Sequence, residues 1–483
     1  MTIKDLKPQS VWHYFYEINQ IPRPSKKEGK MIEYLLNFAK QHNLESKKDG
    51  AGNVLITKPA AKEGIATVIL QSHIDMVCEK NRDITHDFDK DPIETYVDGA
   101  WLKAKGTTLG ADNGIGVAAQ LALLASKDIQ HGKLECLFTV DEETGLTGAY
   151  ALSKDLLTGH YMINLDTEEE GEFYIGCAGG KGTTATFKYK ECDTPMDYYW
   201  FKLQVKGLNG GHSGSEIHEG LGNANKILNR FLWALSRKTY LAMSEIDGGN
   251  LHNAIAREAY AVAGVPVGDR DEVAAMLNRF AADVESELKV VDPNVKVSIE
   301  TTEEPKCVMD KDTVYNLLNG IYACPHGVLG MSHDIPGLVE TSTNLASVKM
   351  KENNTIVVGT SQRSSTESLK NDAANMVNAA FTLAKAEVVH GEGYPGWKPN
   401  PDSKILEIGK SCYKKLYGKD PEVKAIHAGL ECGLFLEKYP HLDMISCGPT
   451  IRGAHSPEEK VEIATVEKWW NLLLEMLKNI SAK

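Results

Sequence analysis

Thr67-Val-Ile-Leu-Gln-Ser-His73-Ile-Asp75 is the stretch from which the fold can be read. Its apolar run, Thr67 to Gln71, is bounded by charge and helix breakers, and predicts a buried strand that delivers polar residues at its C-terminal end. In extended backbone residues i and i+2 share a face, so His73 can present one ring nitrogen outward while Asp75 fixes the other. An imidazole held by a carboxylate is a metal ligand with its support attached, although on this triplet alone a satisfied strand-end histidine is the commoner outcome.

Further apolar stretches follow the same design. Leu134 to Val140 predicts a strand ending in Asp141-Glu142-Glu143-Thr144-Gly145, and Tyr161 to Leu165 one ending in Asp166. Leu442 to Ser446 predicts another, running through Cys447-Gly-Pro into a loop with His455-Ser-Pro-Glu. Each acid alone is ordinarily a solvated strand end. In open α/β sheets, however, ligands gather beyond the carboxyl ends of the strands, so these residues should converge. Gly106-Thr-Thr-Leu-Gly-Ala-Asp-Asn-Gly-Ile-Gly116 leads into a helix expected over Val117 to Ser126. It is no Walker loop, because no Gly-Lys-Ser/Thr ends it. It does place Asp112 at a helix N-terminus, where a carboxylate is ordinarily an N-cap.

Upstream, apolar positions at helical spacing (Val11, Tyr14, Phe15, Ile18; Met31, Tyr34, Leu35, Phe38) predict two amphipathic helices joined by the stiff turn Ile21-Pro22-Arg23-Pro24. Between 187 and 392 the texture changes: strands expected at Trp200–Val205, Gly249–Val265, Val295–Thr301 and Leu345–Gly359 alternate with helices at Leu221–Ser236, Asp271–Leu288 and Leu369–Val388. Gly249-Asn-Leu-His-Asn and Ser342-Thr-Asn-Leu-Ala each run from Asn-Leu toward a hairpin and a long helix, which suggests an internal duplication. The fold class expected is α/β: a mixed-sheet domain from residues 1–186 and 393–483, with an α+β domain inserted at 187–392.

At 483 residues the chain exceeds one compact core, so two or three domains are expected. No apolar stretch reaches the roughly 18 residues of a membrane span, and charge stands in Met1 to Ser10 where a signal peptide is apolar. A cytoplasmic protein with no membrane partner is the expectation. Nine cysteines without a Cys-x-x-Cys pair argue against a zinc ribbon or a disulfide framework. A net charge of -13 without a basic block disfavours nucleic acid as a partner.

His73-x-Asp75, Gly110-Ala-Asp112-Asn-Gly, Asp141-Glu142-Glu143-Thr-Gly, Asp166, Gly211-His212-Ser213-Gly214 and His455-Ser together resemble the M20 family of di-zinc peptidases, and within it the aminoacyl-histidine dipeptidases. The resemblance implies a zinc-peptidase catalytic domain with an inserted lid, and two Zn²⁺ per subunit, with Co²⁺ or Mn²⁺ as substitutes. Asp112 would bridge the ions, Glu143 and His455 completing one and His73 and Asp166 the other. Asp75 would orient His73. Glu142 would be the general base toward a metal-bridged water, and His212 would stabilise the oxyanion once the lid closes. Asn253 and Arg363 look like readers of the substrate carboxylate.

The activity implied is hydrolysis of dipeptides with a free amino terminus, Xaa-His among them. One rival keeps the metal site but takes N-acyl amino acids, and another is a non-catalytic metal-binding protein. Glu431, in Ala425-Ile-His-Ala-Gly-Leu-Glu431 after a strand expected at Glu422 to Ile426, would bind the substrate ammonium, or would merely cap a helix. A homodimer remains an alternative to a lid that is duplicated within one chain.

Overall fold

Val68–His73 is a strand of six buried residues, and its neighbours account for its being buried on both faces. In the computed structural model, which describes residues 2–480, it lies parallel between Leu134–Thr139 and Tyr161–Asn164. Those strands are buried throughout as well, as strands covered by helices on both sides must be. The sheet runs in the order Glu45–Lys48, Val54–Lys58, Leu134–Thr139, Val68–His73, Tyr161–Asn164, Asp443–Ser446, Glu172–Cys177, Glu422–Ile426. Asp443–Ser446 is parallel to Tyr161–Asn164, and the pairs Glu45–Lys48 with Val54–Lys58 and Val54–Lys58 with Leu134–Thr139 are antiparallel.

Helix Ala111–Ala125 packs on Val68–His73, and helix Gln9–Ile18 packs over it. Sandwiched in this way, Ala111–Ala125 is buried all round, including every residue from Asn113 to Leu124. Helix Lys404–Tyr417 packs on Asp443–Ser446 and on Ile463–Asn479, whose Trp469 is 2% exposed. No helix among the described residues is long and apolar enough to cross a membrane.

The chain divides into two compact units, one of residues 1–177, 397–425 and 430–483, the other of residues 178–396 and 426–429. Met1 and 481–483, the ends of the outer domain expected from sequence, lie outside the described residues. Strand Gly179–Lys188 belongs to the second unit's sheet, because it pairs along its whole length with Thr355–Ser364.

That sheet carries one connectivity twice. Strand Tyr198–Lys206, helix Ala224–Ser236, strands Ala242–Gly248 and Ala259–Pro266, helix Arg270–Leu288 and strand Lys296–Thr301 form one set. Gly179–Lys188, Lys311–Ala323, Val339–Lys351, Thr355–Ser364, Glu367–Leu383 and Glu387–His390 form the other; the two groups of four strands join at Ala242–Gly248 and Val339–Lys351 within one nine-stranded sheet, whose ninth strand, Gly327–Met331, also pairs with Val339–Lys351. The Asn-Leu motif does not mark equivalent places: Asn250-Leu251 lies in an irregular segment before its strand, whereas Asn344-Leu345 lies within one. The helix expected to reach Val388 ends at Leu383, since Lys385 takes a positive φ and the chain turns into the edge strand Glu387–His390.

Candidate metal centre

Four ligand-bearing segments leave one edge of the first unit's sheet. The register sets His73 opposite Thr139 and Asn164 opposite both Gln71 and Ser446, so the chain beyond each of these strands emerges at the same end. Asp141–Gly145, Asp166 and the His455 loop are therefore brought to His73 by topology.

The donor atoms form two trios that share Asp112. His73 Nε2 is 3.0 Å from Asp112 Oδ1 and 3.3 Å from Asp166 Oδ1. His455 Nε2 is 3.2 Å from Asp112 Oδ2 and 3.0 Å from Glu143 Oε2. A tetrahedral zinc ion with bonds of roughly 2.0–2.2 Å holds its donors about 3.3–3.6 Å apart, so each trio is close to the face of such a polyhedron. Both sets are of nitrogen and carboxylate oxygen, the chemistry that suits zinc, cobalt or manganese. Glu143 Oε1 is buried without a hydrogen-bond partner among the described residues. The residues present fit a pair of divalent ions, with a third grouping of His73, Glu142 and Glu143 donors lying within 4.8 Å of one another.

Local backbone explains how adjacent residues serve one place. Glu142–Gly145 is a single helical turn entered through Asp141 at φ 50 and left through Leu146 at φ 55. The bend needed to bring Glu142 and Glu143 together thus begins at Asp141, not at Thr144-Gly145. Glu28 Oε1 accepts the Asp141 N–H at 3.0 Å, and Thr147 donates to Asp141 Oδ2 at 2.5 Å, so the left-handed residue is held from both sides. Asp112 is not the N-cap of its helix. That place belongs to Gly110, and Asp112 stands just inside with extended backbone, joined to Asn113 by a cis peptide bond. Asn113 Nδ2 donates to Leu165 O at 2.8 Å and to Asp166 Oδ1. His455 sits at φ 63.

Asp75 supports the centre from beneath. It is 0% exposed and accepts the N–H groups of Glu142 and Glu143 at 3.1 and 3.2 Å and the Ser25 hydroxyl at 2.8 Å. Burial opposes charge on His73, yet Asp166, Asp112 and Asp75 hold its pKa well above the usual imidazole value. Hydrogen bonds that its ring gives to Asp112 and Glu143 push His455 up to about 11. Burial raises Asp166 to about 6 and holds Glu142 well above the ordinary carboxylate range. The carboxylates that raise both imidazoles create a field that favours cations, which is what bound metal would supply.

Glu431 lies in the buried floor of the first unit's sheet, with one carboxylate oxygen, Oε1, left without a hydrogen-bond partner among the described residues. It is 0% exposed, and its Oε2 accepts Gln71 Nε2 at 2.6 Å and the Thr139 hydroxyl at 2.8 Å. Nor does its side chain cap the helix Cys432–Lys438 that follows it. Burial lifts its carboxyl to about 8, so a neutral acid fits this sealed position.

His212, Asn253 and Arg363 belong to the second unit. His212 Nδ1 accepts the backbone N–H groups of Ser215 and Gly214 at 3.1 and 3.3 Å. Acceptance at Nδ1 leaves the proton on Nε2, and burial together with Arg363 lowers the pKa of the ring. The Asn253 carbonyl accepts the Ser213 N–H at 2.8 Å, beside an isolated His212–Ala254 bridge. Arg363 is 7% exposed in strand Thr355–Ser364, with Nη1 donating to the Tyr394 hydroxyl at 2.8 Å and Nε unpartnered among the described residues. Its hydrogen bond is to a neutral phenol, and no ion pair with a carboxylate is seen for it among the described residues. A buried guanidinium without a counter-ion is a place for an anionic ligand.

Sequence reading passed over Arg23, Asn113, Tyr394, His427 and Glu459. A charged residue between two prolines, Pro22-Arg23-Pro24, was the one available signal for the first of these.

Peptidase family M20/M25/M40 matches residues 69–479 of the chain. The cytosol non-specific dipeptidase of Escherichia coli (strain K12) is 43% identical over 486 residues, covering 100% of this chain and 99% of that protein. The crystal structure of an aminoacylhistidine dipeptidase from Vibrio alginolyticus superposes with a TM-score of 0.93 at 42% identity, covering 100% of this chain and 99% of that one. An aminopeptidase from Bacillus cereus ATCC 10987, 18% identical, shares the fold with a TM-score of 0.62 over 98% of this chain and 99% of that one. The chain belongs to peptidase family M20/M25/M40.

Proposed function

We propose that the protein is a metal-dependent dipeptidase of the cytoplasm, acting on Xaa-His and other small peptides through a dinuclear zinc centre. The observation that carries this reading is Asp112, which turns one oxygen to His73 and the other to His455 while a half-buried glutamate, Glu142, stands beside His73 and Glu143, one member of each trio. The names of the Escherichia coli and Vibrio alginolyticus relatives, both dipeptidases and one cytosolic, support the substrate class and the compartment.

His73, Asp112 and Asp166 would hold one ion and Asp112, Glu143 and His455 the other. Such ions lower the pKa of a water and polarise the scissile carbonyl. Glu142 takes the proton of the attacking water and passes it to the leaving amine, a task that suits a carboxyl whose proton affinity burial has raised. Asp75 keeps the His73 ring in the orientation that turns Nε2 outward. His212 donates its Nε2–H to the oxyanion, and its neutral ring suits a donor rather than a base. Arg363, with Asn253, receives the peptide's terminal carboxylate.

The test is hydrolysis of a panel of free and N-acetylated dipeptides by metal-free protein, before and after zinc is added. Zinc-dependent cleavage of the free peptides is the expected result. Preference for the acetylated compounds would establish the deacylase, and cleavage of neither would overturn the enzyme.

A further inference from the structure

Two buried, oppositely charged side chains grip the same peptide group from opposite sides. Glu459 is 2% exposed, and its carboxylate takes four backbone N–H groups: Leu109 and Gly110 on Oε2 at 2.8 and 2.9 Å, Ala111 and Asp112 on Oε1 at 2.7 and 3.1 Å. Arg23, also 2% exposed, donates Nη2 to the Gly110 carbonyl at 2.7 Å and Nη1 to the carbonyls of Asp75 and Ile74 at 3.0 and 3.3 Å. Room for this grip has been kept at Gly110, where a Cβ would lie 2.4 Å from Arg23 Nη2, and at Gly114, where it would lie 2.7 Å away.

The contacts join the segments that carry the donor atoms. Glu459 follows His455 by four residues and closes on the turn that carries Asp112. Arg23 ties that turn to the end of the His73 strand. The guanidinium opposes the repulsion among the acids around it. We propose that Arg23 and Glu459 are positioning residues that together fix the Leu109–Asp112 turn, so that Asp112 offers one oxygen to each histidine. The proposal rests on the dinuclear reading given above.

An amide cannot replace the carboxylate. Four N–H donors converge on two oxygens, and Gln at 459 would turn an NH₂ group toward two of them. Arg23→Met leaves the buried Glu459 carboxylate to the repulsion of Asp112, which removing both charges relieves, whereas Glu459→Gln leaves Arg23 with Asp75 and Asp112. Stability and metal binding should therefore separate across Glu459→Gln, Arg23→Met and the double variant.

The experiment titrates full-length, metal-free protein with Zn²⁺ by calorimetry, records the visible spectrum of the Co²⁺ form, and measures the Tm of the metal-free form. Each single variant should bind zinc about 10–100-fold more weakly, the usual loss when a support of a metal ligand is removed, and should alter the Co²⁺ spectrum. The double variant should regain Tm over the weaker single variant without regaining zinc affinity. Recovery of affinity together with Tm would reduce the pair to a structural one, and wild-type affinity and spectrum in both singles would overturn the clamp. A wild type that takes up fewer than two ions would instead overturn the dinuclear reading, and the clamp's purpose with it.

Discussion

His73 Nδ1 stands 3.3 Å from Asp75 Oδ1, with 1% and 0% of the two side chains exposed. The same carboxylate receives the N–H groups of Glu142 and Glu143, so it orients a candidate ligand, His73, and the helical turn that carries Glu142 and Glu143. Asp75→Asn keeps the shape but replaces one acceptor by a donor. We expect zinc affinity or activity to fall about 10–100-fold, read by calorimetry and by dipeptide turnover. Unchanged affinity and turnover would remove Asp75 from the site.

The tautomer of His212 is a second test. Its Nδ1 accepts two backbone N–H groups, so ¹⁵N NMR should find the proton on Nε2 at pH 7 and a pKa below the usual 6.5 of histidine. His212→Ala should lower kcat about 10²-fold or more, by analogy with loss of one oxyanion donor, with metal content unchanged. A ring protonated on Nδ1, or an unaltered kcat, contradicts the assigned role.

Arg363→Met should raise KM steeply for a dipeptide with a free carboxylate, since truncating one partner of a buried charge pair costs about 2–5 kcal/mol. The amide of the same dipeptide, which carries no terminal charge, should lose far less. Tyr394→Phe, which frees Nη1 of its hydroxyl partner, should shift KM in the same direction by a smaller amount. Equal losses for acid and amide would show that Arg363 does not read the carboxylate.

That these side chains gather in one place was legible in the sequence because strand ends are: His73, Asp166 and the Glu142-Glu143 pair each close or follow an apolar run of the central sheet. What was not legible depends on distant partners. Glu431 follows a strand, and nothing local says that its carboxylate turns toward Gln71 and Thr139. Glu459 is one of two adjacent glutamates after Pro457, and only the four N–H groups of a loop nearly 350 positions upstream single it out from Glu458. In the second unit the doubled topology is a property of strand order, which the short Asn-Leu similarity does not carry.

Acid should weaken the second unit through His427. This ring is 5% exposed, lies 2.7 Å from the Ser342 hydroxyl through Nε2, and is pushed by burial and by Arg363 down to about 3. An unfolded histidine titrates near 6.5. Below that pH the unfolded chain binds a proton that the native site refuses, so the contribution is whole above about 6.5 and is lost as pH falls toward 3. Urea denaturation of metal-free wild type and His427→Gln should give curves whose stability difference closes by about 1–2 kcal/mol between pH 7 and pH 5. A difference independent of pH would mean that His427 is protonated in the folded protein.

The most direct measurement is metal stoichiometry and dipeptide turnover on one preparation of Glu142→Gln. The account assigns Glu142 the proton of the attacking water and leaves both ions to His73, Asp112, Glu143, Asp166 and His455. It predicts two ions per chain, as in the wild type, with turnover reduced by about 10²–10⁴-fold. Loss of an ion together with activity would make Glu142 a ligand, and turnover near that of the wild type would leave the hydrolysis without its base.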